Sequence, residues 1–115
     1  MSGIVGTSHS RSKVVGKSLD TAKAWVRFSQ SGSHDIDDSF NVSTVSDQGT
    51  GASRCTFLTP MPHANFVAVS GNNDWNAYTS EDTYTTTYWE IRGASALDNV
   101  LLDLTKVSGL VFGDS

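Results

Sequence analysis

Hydrophobic and polar residues alternate along most of the chain from residue 21 onward, and a period of two residues is typical of a β-strand. In the stretch AKAWVRF, Ala24, Val26 and Phe28 lie on one side of the predicted strand. Trp25 and Arg27 lie on the opposite side. The first element is therefore predicted to be a strand with two distinct faces.

Short segments of the same kind follow, separated by turns. The stretch HDIDDSFNVSTVSD (34–47) changes phase along its length, which predicts a bulge or strand break near Ser43–Thr44. Gly-rich QGTGAS (48–53) predicts a hairpin loop with a return strand at 54–59. Pro60 and Pro62 are expected to end that strand, because proline cannot donate to a ladder.

The second half of the chain carries further strand signals. FVAVSG (66–71) predicts a short strand, NNDWNAYTSED (72–82) a loop, and TYTTTYWEIRG (83–93) one continuous strand. The segments 99–107 and 108–114 predict the last strand or strand pair, with a helical turn in SALDNVLLDL as the alternative. Short strands at this spacing predict an all-β domain, either a small antiparallel β-sandwich or a barrel.

Composition fits one small β-domain behind a polar arm. The chain has 115 residues, of which 37% are hydrophobic and 10% aromatic, and its Thr, Val and aromatic residues favour strands. We expect the sandwich to occupy residues 21–115 and residues 1–20 to form an extended N-terminal arm. The arm is predicted either to dock on an acidic partner surface or to remain a solvated terminus. The candidate docking residues are Arg11, Lys13, Val14, Val15 and Lys17.

Charge and cysteine content narrow the classes of function. A formal net charge of −4 argues against a duplex nucleic-acid partner, which would require a basic face. The single cysteine, Cys55, excludes an internal disulfide and is expected to pack as a small apolar residue. No run reaches membrane-spanning length and the first residues lack the apolar core of a signal peptide, so we expect a cytoplasmically made protein without membrane insertion.

The only cluster of metal-ligand type is HDIDD, with Asp35, Asp37 and Asp38. Alternation with Ile36 indicates a solvated strand edge on which acidic residues discourage edge-to-edge pairing. The calcium-loop pattern, with its glycine and terminal glutamate, is absent. Weak calcium binding is the alternative that these carboxylates leave open.

Catalytic patterns are also missing from the sequence. His9, His34 and His63 lie in different segments without zinc-ligand spacing. No nucleophile elbow is present, and GTGAS does not open a helix as a phosphate loop would. We therefore expect a protein that is not an enzyme and that holds no cofactor or metal.

Aromatic residues give a more specific indication of function. Trp75 and Tyr78 lie in the polar stretch GNNDWNAYTSED, beside Asn72, Asn73 and Asp74. Exposed aromatic rings flanked by amide and carboxylate groups suit stacking on sugar rings or anchoring of a protein interface. The alternative is that Trp75 folds back to cap the end of the domain. Two further tryptophans lie in predicted strands and are expected to pack in the core or between subunits, namely Trp25 and Trp89.

Several of these segments, taken in order, resemble a β-domain common in tailed-phage virion proteins, at the end of tail-fibre chains and in short stand-alone chains of marine and cyanobacterial phages. The family pattern is an AKAWVNF strand, an SFNVSSITDNGTG hairpin, a segment with Met-Pro, and a C-terminal VSVxVFG strand. Residues 22–28, 39–51, 57–65 and 107–113 match it. Arg27, Gln48 and Phe66 stand where the family more often has Asn, Asn and Tyr.

The resemblance implies a virion structural protein that decorates or cements the head, or forms part of a fibre or spike, as a homotrimer. Its expected partners are further copies of itself and other virion proteins such as capsid or tail subunits, and its expected location is the virion. The resemblance brings no catalytic residues. A host-attachment module that recognises surface carbohydrate through Trp75 is the alternative function.

Overall fold

The protein is an antiparallel β-sandwich in a computed structural model that describes residues 21–114. Its eight strands are β1 (Ala24–Phe28), β2 (Ile36–Phe40), β3 (Val42–Asp47), β4 (Ala52–Phe57), β5 (Val67–Asn72), β6 (Ala77–Tyr84), β7 (Tyr88–Ser95) and β8 (Val107–Phe112). Sheet I has the order β2-β1-β8-β5 and sheet II the order β3-β4-β7-β6. The predicted all-β sandwich is confirmed. Within the described residues, no helix is long and apolar enough to cross a membrane.

The core lies between the two sheets and is centred on Trp89, which is fully buried. Its ring stacks on Phe57 at a centroid distance of 5.1 Å, and aromatic pairs of this kind add to the free energy gained from buried area. Strand β1 contributes every second residue, as its alternation predicts. Gly109 faces the core from β8, where a Cβ atom would lie 2.9 Å from Ile91 Cδ1. The interior is therefore closely packed where β8 crosses β7.

Between β2 and β3, the chain passes from sheet I to sheet II through one residue, Asn41. Its φ of 57° is left-handed. Asn41 Nδ2 donates to the carbonyl oxygens of Lys23 and Thr59 at 3.0 and 3.1 Å. Asn41 Oδ1 accepts from Thr59 N at 2.6 Å. The predicted bulge is confirmed between Val42 and Thr44, but the strand break lies at Asn41, because asparagine tolerates the left-handed conformation of a tight corner.

Two sequence predictions about the second half are wrong. Residues 83–93 form a hairpin rather than one strand, because Thr85 Oγ1 accepts from Thr87 N and Tyr88 N at 3.2 and 3.0 Å and so closes a turn. Most of the predicted loop 72–82 belongs to β6. The predicted last strand is confirmed as β8, but it begins only at Val107; residues 96–106 connect β7 to β8, and Leu101 forms an isolated bridge to Ala94. Asn99 N donates to Ser95 O at 3.0 Å, which gives one helical turn.

Four connections lie together at one end of the sandwich: 29–35, 48–51, 73–76 and 96–106. A polar cluster ties the first, second and fourth of them, since Gln30 Oε1 accepts from Leu104 N at 3.1 Å and Gln30 Nε2 donates to Ser53 Oγ at 3.1 Å. Asp103 Oδ1 accepts from Gly51 N at 2.8 Å. These bonds satisfy buried groups that would otherwise be costly. The loops at this end are therefore attached to the rigid core.

Candidate functional site

The outer face of sheet I carries a row of large apolar side chains that crosses all four strands. Trp25 of β1 lies opposite Phe40 of β2 and opposite Leu110 of β8. Leu110 in turn lies opposite Val69 of β5. Paired residues of neighbouring strands project from the same face, so the four side chains form a continuous apolar row. Val67 and Phe112 form a second pair beside it. We call these six residues the apolar face.

Much of the apolar face is open to solvent. The exposed fraction is 61% for Val67, 47% for Val69 and 37% for Trp25, and Leu110 is half-buried. A groove of about 410 Å³ runs along this face. It is lined by Trp25, Val26, Arg27, Val69, Ser70, Gly71, Ser108, Gly109 and Leu110. Gly71 and Ser108 lie opposite one another, and their small size leaves room between the larger side chains.

The outer face of sheet II is different in character. Arg54 and Glu90 form an ion pair at 2.9 Å, and Arg92 pairs with Asp82 at 2.9 Å. The Arg54 guanidinium also lies 4.0 Å from the ring centroid of Tyr88, which covers that ring with a cation. Arg54, Arg92 and Asp82 are partly exposed and Glu90 is buried beneath them, so the cations of these pairs face solvent. Among residues 21–114, the outer face of sheet I therefore differs from that of sheet II in its continuous apolar row, which Arg27 and its partner Asp37 border.

A second exposed surface lies at the loop end of the sandwich. Trp75 is 90% exposed, so the alternative in which it caps the domain is wrong. Its loop is held by its own polar side chains: Asn72 Oδ1 accepts from Asp74 N at 2.7 Å, and Asp74 Oδ1 accepts from Asn76 N at 2.9 Å. These bonds form two overlapping Asx turns, a frequent use of Asn and Asp in loops. The indole is therefore presented by an ordered turn.

The loop 96–106 joins Trp75 and adds further apolar side chains. Ala96 N donates to Asn76 O at 2.8 Å, and Tyr78 Oη donates to Asn99 Oδ1 at 2.9 Å. These bonds place the two loops side by side. The exposed apolar residues that they contribute are Trp75 at 90%, Leu97 at 86%, Val100 at 58%, Tyr78 at 41% and Leu101 at 40%. We call these five residues the loop tip. The sequence pattern did not indicate a surface role for Leu97, Val100 and Leu101, because it predicted a strand or a helical turn for this segment.

The two loops that carry the loop tip are acidic. Asp74, Asp98 and Asp103 are exposed within its two loops, and residues 73–76 and 96–105 contain no lysine or arginine. The cation that follows, Lys106, is already paired with Asp37 at 2.7 Å. A cationic partner segment would therefore find favourable electrostatics at the loop tip.

The other predicted residues are not gathered into a site. Asp37 of HDIDD pairs with Lys106 at 2.7 Å and with Arg27 at 3.5 Å. Residues 21–114 contain no group of three or more His, Cys, Asp or Glu side chains placed to hold a metal ion. His34 is buried beside Ser53, whereas His63 pairs with Asp114 at the opposite end.

Two further expectations concern residues of other kinds. Cys55 is fully buried, and this burial, with the nearby Glu90 carboxylate, raises the pKa of its thiol, so the prediction of a packing role is confirmed. The expected docking residues Arg11 to Lys17, and His9, lie outside the described residues.

Comparisons with known proteins identify no relative that would assign a role to either surface. No family model matches the chain, no curated protein matches it, and no solved structure matches it.

Proposed function

We propose that the protein is a non-enzymatic structural component of a phage virion that assembles through the apolar face of sheet I. The observation that carries the proposal is the row Phe40, Trp25, Leu110 and Val69, which crosses all four strands on the outer face of sheet I. Contiguous exposed apolar surface on a soluble domain marks interaction sites. The resemblance of the chain to virion β-domains supports the same class of function.

A small sandwich gains from such an association. A domain of this size buries a smaller fraction of its surface than a larger one, so its stability is limited. Covering the apolar face in a closed homotrimer, with capsid or tail subunits as further partners, would remove that face from water at about 25 cal/mol per Å² of apolar area. Closed symmetry is the usual outcome for self-associating proteins.

The test replaces Val69 by Lys, which places a charge in the apolar row on edge strand β5. Thr44→Lys is the matched control, because Thr44 has the same β-branched shape and is exposed on edge strand β3 of the other sheet. We expect the parent and Thr44→Lys to sediment as the same oligomer and Val69→Lys as a smaller species. A parent that is monomeric at every concentration, or equal behaviour of the two variants, would refute assembly through the apolar face.

The place in the virion is tested separately by mass spectrometry of purified particles. A copy number comparable to the major capsid protein indicates a head-decorating protein, whereas a few copies per particle indicate a fibre or spike. Absence from the particle would refute the virion assignment without affecting the role of the apolar face in self-association.

Carbohydrate recognition by the loop tip is the second candidate function, and the exposure of Trp75 favours it. Two of the polar side chains that would contact a sugar, Asn72 and Asp74, already bond backbone groups of their own loop. The neighbours Leu97 and Val100 offer sugar hydroxyls no partner. Trp75→Ala would lower adsorption to host cells and leave particle assembly intact if this function holds; unchanged adsorption would refute it.

A further inference from the structure

We propose that the loop tip of one copy binds the basic segment of residues 11–17 from a second copy. The proposal rests on the proposed assembly function and extends it, because it names a second contact between copies and both of its partners. The contact is heterologous: it joins two different surfaces of the same chain.

The loop tip has the composition of an interface centre. Trp75 and Leu97 are 90% and 86% exposed, and they are held next to each other by the bond from Ala96 N to Asn76 O. An exposed tryptophan on an ordered turn, with exposed aliphatic side chains on the neighbouring loop, is the kind of residue that contributes most to binding in protein interfaces. The turn that presents it is already formed, so little ordering would oppose binding.

Charge selects the segment that binds there. The loops of the tip carry Asp74, Asp98 and Asp103 and no basic residue up to residue 105. The sequence SRSKVVGK (10–17) carries three cations around the pair Val14-Val15, and residues 1–19 contain no acidic residue. The valines match the apolar side chains of the tip, and the cations match its carboxylates. Opposite charges at the edge of an apolar contact speed association and fix its orientation.

Chain direction favours a second copy over the same one. Strand β1 runs towards the loop tip, and Lys23 N donates to Val111 O at 2.7 Å just before β1 begins. The chain that precedes β1 therefore enters at the end of the sandwich opposite the tip. Six residues, 18–23, separate the basic segment from β1, and six residues span at most roughly 20 Å, so the segment is tethered to the end of its own domain that lies opposite the tip.

The first experiment measures binding of a fluorescent peptide of residues 8–20. The receptor is the full chain with Arg11, Lys13 and Lys17 changed to Glu, so that its own arm does not compete. We expect saturable binding that weakens at least about tenfold in Trp75→Ala. Leu58→Ala is the control, because Leu58 is 71% exposed but lies at the opposite end of the sandwich. Absence of binding, or equal binding to Trp75→Ala, would overturn the proposal.

The second experiment separates the two modes of docking in Val69→Lys chains, where contact through the apolar face is disrupted. A Trp75→Ala chain with an intact arm is mixed with the arm-reversed chain. The arm-reversed chain is the variant in which Arg11, Lys13 and Lys17 are changed to Glu, and its tip is intact. We expect native mass spectrometry to detect monomers when each chain is measured alone and a heterodimer when the two chains are mixed. Peptide binding without a heterodimer would mean docking on the same copy and would overturn the proposal. Neither result alters the comparison of Val69→Lys with Thr44→Lys, so the two proposals fail independently.

Discussion

At the scale of single residues, Gly51 is the position where the backbone allows least change. Its φ is +68°, and an added Cβ would lie 2.6 Å from Gly93 O and 2.8 Å from Leu102 O. Both contacts are with backbone, which cannot move aside as the end of a side chain can. Only glycine therefore permits the hairpin β3–β4 to lie against the connection from β7 to β8.

Gly51→Ala is expected to lower the free energy of unfolding by about 2 kcal/mol or more, because it combines strained φ with a clash. Gly32→Ala is the control, since Gly32 has a φ of +78° but no atom within 4 Å of an added Cβ. It should cost only about 1 kcal/mol, the left-handed penalty alone. Urea unfolding of both variants measures the difference, and equal losses would contradict the role of the close approach.

Cys55 makes stability depend on pH on the alkaline side. Burial and the nearby Glu90 carboxylate raise the pKa of the native thiol, whereas an unfolded cysteine ionises near about pH 8.5. The native state therefore holds a proton that the unfolded state releases. We expect the free energy of unfolding to fall as pH rises above about 8.5, by up to ~1.4 kcal/mol per pH unit, and to be unaffected by this group at lower pH.

The measurement is urea unfolding of the parent and of Cys55→Ala between about pH 7 and pH 10. The variant will be less stable at neutral pH because a buried atom is lost, but it lacks the thiol. The difference between the two proteins should therefore shrink as pH rises. Parallel curves would show that the native thiol ionises as readily as the unfolded one.

At the scale of elements, Asn41 decides how β2 and β3 are distributed between the sheets. It holds the corner with a left-handed φ and three hydrogen bonds from one buried amide. The sequence NVSTVSD therefore begins a new strand in the other sheet instead of continuing β2. A pattern of alternation reports which residues are extended, and it does not report where an extended chain changes sheets.

Asn41→Ala is expected to lower the free energy of unfolding by about 2–4 kcal/mol, because it leaves Thr59 N and two carbonyl groups without their partner at a partly buried corner. Asn41→Gly separates the causes: it loses the same bonds but tolerates the left-handed φ, so it should be the more stable variant by about 1 kcal/mol. Chemical unfolding of both proteins provides the values. A loss below about 1 kcal/mol in Asn41→Ala would show that water replaces the amide at the corner.

At the scale of the whole molecule, the sandwich presents two surfaces of different character: an apolar face that Arg27 borders, and a loop tip whose two loops also carry exposed aspartates. Salt should distinguish them, because it screens ionic contacts but does not weaken apolar burial. The proposed contacts at the two surfaces are therefore expected to respond differently when ionic strength is raised.

We expect association of the arm-reversed chain, which retains the apolar face, to be unchanged or stronger in about 0.5 M NaCl than in low salt. Association of the Val69→Lys chain, which retains the arm and the loop tip, should weaken several-fold over the same range. Analytical ultracentrifugation of both chains at two salt concentrations gives the comparison. A salt-insensitive Val69→Lys chain would contradict the charge match between arm and tip.

Properties that depend on neighbouring residues could be predicted from the sequence. The alternation of AKAWVRF identified β1 and separated Trp25 from the buried side of that strand. Glycine and proline marked the hairpin loop before β4 and the end of β4. The sequence places Thr85 in a strand, because threonine is common both in strands and in turns. Only the hydrogen bonds that Thr85 Oγ1 accepts show that it lies in a turn.

Which distant residues become neighbours depends on how the strands pair and pack in the folded protein. Phe40, Trp25, Leu110 and Val69 lie on four strands, and their row exists because the register of three strand pairs aligns them. The loop tip likewise depends on the bond that joins the loops of Trp75 and Leu97. Local periodicity fixes the two sides of a strand, but pairing and register depend on how all eight strands pack together, so both candidate surfaces became visible only in the folded protein.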